Sequence, residues 1–187
     1  SRAVTYDANG YEDVVTDFAG KRTNFDYDAH GHLVRKVEAE GQQGQRATTY
    51  VWDEGKNQIV SETLDGETRT DYAHTGDGRL DAVTVTDLGT GQARVTRYSY
   101  AAGQNGMLTA LAVDGPSPAD YAHYTSSEQG DVLAVRDRGG HVTQYSHHNG
   151  LGQPGRVISP SGEIGGFGYD VVSRWGSFQP GRGKWQV

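Results

Sequence analysis

Tyrosine, histidine and arginine set close together are the side chains of this sequence best suited to acting on a polymer. Tyr145-Ser146-His147-His148-Asn149 offers bases beside a phenol, and Arg136 lies upstream as a cation for a uronate carboxylate. Tyr145, His147, His148 and Arg136 therefore define one catalytic candidate, a polysaccharide lyase acting on an acidic glycan. Imidazole suits such proton transfer because it titrates near neutral pH. The competing account is a polar turn flank with incidental histidines. His147 and His148 are adjacent, so on a strand they face opposite sides and cannot both grip one ion. The other histidines (His30, His32, His74, His123, His141) form no His-Glu-x-x-His pattern. The loops carry one or two acids each, short of an Asp-x-Asp-x-Asp-Gly calcium loop. No metal and no cofactor is expected. A Gly-x-Ser-x-Gly elbow and a phosphate-binding loop are both missing, and zero Cys removes thiolate nucleophiles, thiolate metal sites and disulfides.

The elements that would position these groups are strands. Among 187 residues Val (18) outnumbers Leu (8) more than two to one, with 11 Tyr and 27 Gly, a mixture that favours pleated structure punctuated by turns. No segment places apolar residues at i, i+3, i+4 and i+7 over three turns, so no long helix is expected. No apolar run is long enough for a membrane-spanning helix. The net charge of −7 opposes duplex binding, which needs a cationic face. The chain opens within a strand-like stretch (Ala3-Val4-Thr5-Tyr6) without an initiator Met and reads as a piece of a longer protein.

Aromatic anchors recur at Tyr6, Tyr27, Trp52, Tyr72, Tyr100, Tyr124, Tyr145 and Tyr169, at spacings of 20 to 28 residues. Tyr6-Asp7-Ala8-Asn9-Gly10 and Tyr27-Asp28-Ala29-His30-Gly31 are near copies. Trp52-Asp53-Glu54-Gly55 is one residue shorter, and Tyr169-Asp170 keeps only the dipeptide. A second mark, Asp17-Phe18-Ala19-Gly20 or Asp137-Arg138-Gly139-Gly140, precedes most anchors. Between the marks apolar residues alternate, and Leu80, Val83 and Val85 repeat the spacing of Leu108, Leu111 and Val113. Asn-Gly and Asp-Gly pairs at 9–10, 105–106, 149–150, 65–66, 77–78 and 114–115 are strong hairpin signals. A fixed period of this kind marks a repeat architecture in which each unit is two strands and two turns.

The pattern Tyr-Asp-x-x-Gly, Leu-x-x-Val, Asp-x-x-Gly-x-x-Thr-x-Tyr-x-Tyr-Asp resembles the YD repeat of the RHS family, over Tyr6 to about Asp170. The resemblance implies kinship with bacterial Rhs proteins, the C component of insect toxin complexes, wall-associated proteins and teneurins. In these the repeats coil a long sheet into a hollow shell that in bacteria often encloses a toxin. Tyr72-Ala73, Tyr100-Ala101, Tyr124-Thr125 and Tyr145-Ser146 depart from the motif, so their turns need another polar group or water. There is no Asp-Pro pair, so self-cleavage and shell closure do not carry over.

The expected fold is all-β: tandem antiparallel hairpins in an elongated, twisted or curved sheet, part of a shell-like wall. Residues 1–172 form the array of about eight units. Residues 173–187 form a basic tail with Trp175 and Trp185: it carries +3, against −10 for the rest (14 basic less 24 acidic). The repeat residues Tyr6, Asp7, Gly10, Tyr27, Asp28, Gly31, Trp52, Asp53, Gly55, Tyr72, Tyr100, Tyr124, Tyr145, Tyr169 and Asp170 are assigned to architecture. The tyrosines form rungs and the acids cap turns. Function reads as a structural segment of a secreted or cell-surface protein. Its partners are flanking segments of the longer chain or an enclosed toxin domain, with edge-to-edge dimerisation through open strands. A carbohydrate-binding surface of repeated aromatics is the alternative beside the lyase.

Overall fold

In a computed structural model, which describes residues 2–170 and 175–180, nearly all regular structure is extended. The chain divides into two compact units, residues 1–95 and 96–187. The first holds β1 (Ala3–Tyr6), β2 (Glu12–Thr16), β3 (Arg22–Tyr27), β4 (Leu33–Glu38), β5 (Arg46–Asp53), β6 (Gln58–Leu64), β7 (Thr68–His74) and β8 (Leu80–Asp87). The boundary falls inside β9 (Ala93–Ala102). The second unit continues with β10 (Leu108–Asp114), β11 (Tyr121–Ser126), β12 (Val132–Asp137), β13 (Val142–His148), β14 (Pro154–Ser159), β15 (Gly162–Tyr169) and β16 (Trp175–Pro180). The one helical element among the described residues is a single 3-10 turn, Pro118–Asp120, so no described helix is long enough to cross a membrane.

Within each unit every strand pairs antiparallel with its predecessor and successor in the chain, as short hairpin loops require. Eight loops have one design. They begin at Asp7, Asp17, Asp28, Thr75, Gly103, Ser127, Asp137 and Asn149. In each, the first residue's N–H donates to the carbonyl four residues on, and the N–H three residues on donates back to the first residue's carbonyl. That fourth residue is always Gly at positive φ. A type I turn closed by a left-handed residue is a common three-residue hairpin connection, and glycine adopts that φ without a Cβ clash. Of the pairs read as hairpin signals, Gly10, Gly66, Gly78 and Gly106 occupy positive φ. Gly115 and Gly150 do not: Asn149 opens its loop and Gly152 closes it.

The Leu-x-x-Val spacing breaks a period of two, and the register supplies the reason. Ala73 pairs with Ala82 but His74 with Leu80, so β8 carries one extra residue just past the loop. β10 does the same, with Ala101 opposite Ala110 and Ala102 opposite Leu108. This bulge puts Leu80 and Val83, or Leu108 and Leu111, on one face despite their spacing of three.

Little is fully covered. Val37 (2% exposed), Ala39, Ala47 and Ser61 are buried in the first unit, and Val157 in the second. Val37 on β4 stands between Asn24 on β3 and Ala47 on β5. Most other strand residues are half-buried. Stability in each unit therefore rests on many cross-strand pairs worth roughly 0.2–1 kcal/mol each, more than on a deep apolar centre.

Candidate functional site

The repeated loop first recruits a side chain from its opening residue. Asp7 Oδ1 accepts from the N–H groups of Asn9 and Tyr11, both at 2.9 Å. Asp17 does the same for Ala19 and Lys21, at 2.8 Å, and Asp28 for His30 (2.8 Å) and His32 (2.9 Å). In the divergent units the cap is not the residue after the tyrosine. It stands three residues beyond Tyr72 and Tyr124, at Thr75 and Ser127, and four beyond Tyr145, at Asn149. Thr75 Oγ1 accepts from Arg79 N (3.0 Å), Ser127 Oγ from Gln129 and Asp131 (3.2 and 3.1 Å), and Asn149 Oδ1 from Leu151 and Gln153 (3.0 Å). The loop after Tyr100 opens with Gly103, and there Asn105 Oδ1 takes the Met107 N–H at 3.0 Å. The polar groups expected to replace Asp thus exist, displaced along the strand.

The anchors follow the same division. Tyr6, Tyr27, Trp52 and Tyr169 lie at the last or next-to-last residue of β1, β3, β5 and β15, directly before Asp7, Asp28, Asp53 and Asp170. Gly10 and Gly31 close their loops in the left-handed region. After Asp53 that conformation falls to Asn57 (φ 53) and not to Gly55. Tyr72, Tyr100, Tyr124 and Tyr145 sit deeper in β7, β9, β11 and β13. There they oppose aliphatic residues: Tyr72 faces Val83, Tyr100 and Tyr124 both face Leu111, and Tyr145 faces Val157. Anchors occupy alternate strands, about 10 Å apart, and between Tyr100 and Tyr124 the intervening rung is Leu111. Tyr11 and Tyr27 are in ring contact, with centroids 5.0 Å apart. Burial foremost, then the nearby Glu12 and Asp7 carboxylates, raises the Tyr27 phenol above its ordinary pKa.

One convergence in the first unit was not read from sequence. Asp28, His30 and His32 each bring a donor atom to within 4.8 Å of the others. The His32 ring stacks on Trp52 at 4.6 Å and 12°, and Trp52 is held by Nε1–H donating to the Leu33 carbonyl at 2.9 Å. His32 Nδ1–H points to Asp28 Oδ2 at 3.0 Å. Burial pushes the Asp28 carboxyl up, but the hydrogen bonds from His32 and His30 outweigh it and leave its pKa lowered. The available signal was His-Gly-His inside a capped loop, one unit before the only tryptophan anchor.

The lyase group is not brought together. Arg136 faces Val142 at one end of β13, and His148 ends that strand six residues later, about 20 Å away. Arg136 instead lines an open cavity of about 310 Å³ with Asp114, Tyr121, Asp137, Arg138 and Gly140. His148 Nε2–H is committed to the Val132 carbonyl at 2.9 Å. His147 adopts a left-handed φ of 58, so alternation fails at the very histidines for which it was invoked. Its Nδ1 lies 3.1 Å from Ser146 Oγ.

Turn carboxylates make stability depend on acid. The Thr90 N–H, followed by its side chain, holds the Asp87 carboxyl below the ordinary 3.8. At Asp137 the His141 ring, then the His141 N–H, has the same effect. A pKa lower in the folded than in the unfolded chain means that the native state binds fewer protons. The stabilisation is complete above about pH 3.8 and is lost as pH falls through the folded values. The melting temperature is expected to stay level until the carboxylate range and to drop below it. A double variant, Asp87→Asn with Asp137→Asn, should show a shallower acid limb; an unchanged limb would refute the assignment.

Strands in chain order, eight copies of one capped loop and a bulge after the turn define a tandem β-hairpin sheet of the YD-repeat kind. No protein-family model and no curated protein matches the chain. Solved structures do. A chain of the Photorhabdus luminescens Tc holotoxin pore, in a TccC3 mutant form, matches with a TM-score of 0.67 at 14% identity, over 90% of this chain and 10% of that one. The TcdB2-TccC3-Cdc42 crystal structure matches at 0.59 and 17% identity, over 90% and 8% of the two chains. TcdB2-TccC3 without its hypervariable C-terminal region gives 0.57 and 14%, over 96% and 11%. The structure thus has the fold of Tc-toxin components, and the chain spans about a tenth of the length of each chain it matches.

Proposed function

We propose that this chain is a structural YD-repeat segment of a secreted or cell-surface bacterial RHS-type protein, forming part of a β-shell that encapsulates a toxin. The observation that carries the reading is the repetition of one loop geometry with strands in chain order, in a fold matched by a tenth of each Tc-toxin chain. A wall needs hairpins that continue one another, and that is what each unit supplies. In this reading residues 1–172 are the array and residues 173–187 cover its last strand. The antiparallel pairing of β16 with β15 supports such a cover; residues 171–174 and 181–187, and with them Trp185, lie outside the described residues. The partners are flanking segments of the longer chain and the enclosed domain, and the wall performs no chemistry itself. The separation of Arg136 from His147 and His148 supports a non-catalytic role.

Limited proteolysis of the full-length gene product tests this. A region outside the repeats is expected to resist protease until the repeats are unfolded, and the product to release no unsaturated uronate from acidic polysaccharides. Cleavage of every region outside the repeats at the rate of the free peptide, or reproducible polysaccharide turnover, would refute the reading.

A further inference from the structure

We propose that the hairpin between β3 and β4 is a transition-metal site, with Asp28, His30 and His32 as ligands and Zn²⁺ or Cu²⁺ as the ion. Two imidazoles and a carboxylate are a donor set that these borderline ions prefer over calcium or magnesium. The three donor atoms already lie within 4.8 Å of one another. Tetrahedral zinc with bonds of about 2.0–2.1 Å requires separations of about 3.3 Å, so closure asks for roughly an ångström or so of movement.

The fold has arranged most of this in advance. Gly31, at φ 84 between the two histidines, bends the backbone so that side chains two residues apart converge. Asp28 Oδ1 is fixed by two backbone N–H groups, which leaves Oδ2 aimed at His32. His32 is only 15% exposed and is clamped flat against Trp52, so one ligand is held before the ion arrives. His30 is the exposed member, at 60%, with its ring 5.9 Å from that of His32 and Nδ1 3.9 Å from Glu54 Oε1. Glu54 follows β5, two strands away, and is exposed enough to swing in as a fourth donor. An ion taken by all four would tie the loop after β3 to the loop after β5. That gives the site a purpose in a sheet with few buried side chains: it staples neighbouring hairpins at one edge. A ligand that binds the folded state alone raises its stability by mass action.

The test is calorimetric titration of ZnCl2 into the untagged, chelator-treated chain, with His30→Ala, His32→Gln and, as a control, His123→Ala. One ion per chain is expected. Affinity should fall about ten-fold or more in His30→Ala and stay unchanged in His123→Ala. His30 is exposed, so its variant folds, which circular dichroism verifies. Titration of CuCl2 provides a second readout, because copper beside His32 should quench Trp52 fluorescence, and Trp52→Phe should remove that quenching. Absence of stoichiometric binding, equal affinity in His30→Ala, or quenching that survives Trp52→Phe would overturn the assignment.

Discussion

Replacing Val37 by aspartate is expected to unfold the middle of the first unit. Val37 is the one large side chain there with essentially no access to water, at 2%. Its neighbours across the sheet offer a carboxylate little: Ala47 has no polar side-chain group, and Asn24 gives one of its amide N–H groups to Glu40 at 3.0 Å. The substitution forfeits about 1.5–3 kcal/mol of apolar burial. It also strands a polar group at a cost of about 1–3 kcal/mol, more if the group stays charged. A loss of roughly 3–5 kcal/mol takes much of the stability of an ordinary domain. Amide hydrogen exchange across β3, β4 and β5 reads the result directly. Native protection in the variant would show that the sheet does not rely on this contact.

The second large effect separates two glycines that look alike in sequence. Gly10 and Gly31 close equivalent loops at φ 87 and 84. Alanine at either must adopt a left-handed conformation, at about 1–2 kcal/mol. At Gly10 a methyl group meets open space, whereas at Gly31 it would strike the Tyr11 ring at its hydroxyl end. Tyr11 is then pushed off Tyr27, and that contact, worth about 0.5–1.5 kcal/mol, goes with it. Gly31→Ala is therefore expected to cost more than Gly10→Ala, by roughly 1–3 kcal/mol in denaturant titrations. Pairing Gly31→Ala with Tyr11→Ala should recover part of the difference. Equal losses at the two glycines would mean that backbone strain alone governs these loops.

Strands and turns were legible because each depends on neighbours in sequence: alternation writes the strands, and Asp-x-x-Gly writes the loops. The caps at Thr75, Ser127 and Asn149 are hidden in the sequence for a physical reason. Tyr72 and Tyr124 sit two residues further up their strands than Tyr6 does, which keeps their face, so nothing in the alternation betrays the shift; at Tyr145 the shift is three residues, and His147 at a left-handed φ interrupts the alternation. Glycine is the better ruler, since Gly78, Gly130 and Gly152 stand three residues beyond their caps just as Gly10 stands beyond Asp7. Leu-x-x-Val was visible as a motif yet unreadable as a strand until the bulge restored its face. The Asp28–His32–Trp52 convergence was hidden because a strand at one period carries the tryptophan that seats a histidine of the previous one.

Strand order that copies chain order has a consequence for how such a molecule comes into being. Each strand's partner is synthesised immediately before or after it, so loop closure is short and the contact order low for a β protein. Each finished hairpin exposes a ready template for the next. Such a chain can emerge from a ribosome or a narrow export channel one end first and crystallise onto its own growing edge, without waiting for distant segments to arrive.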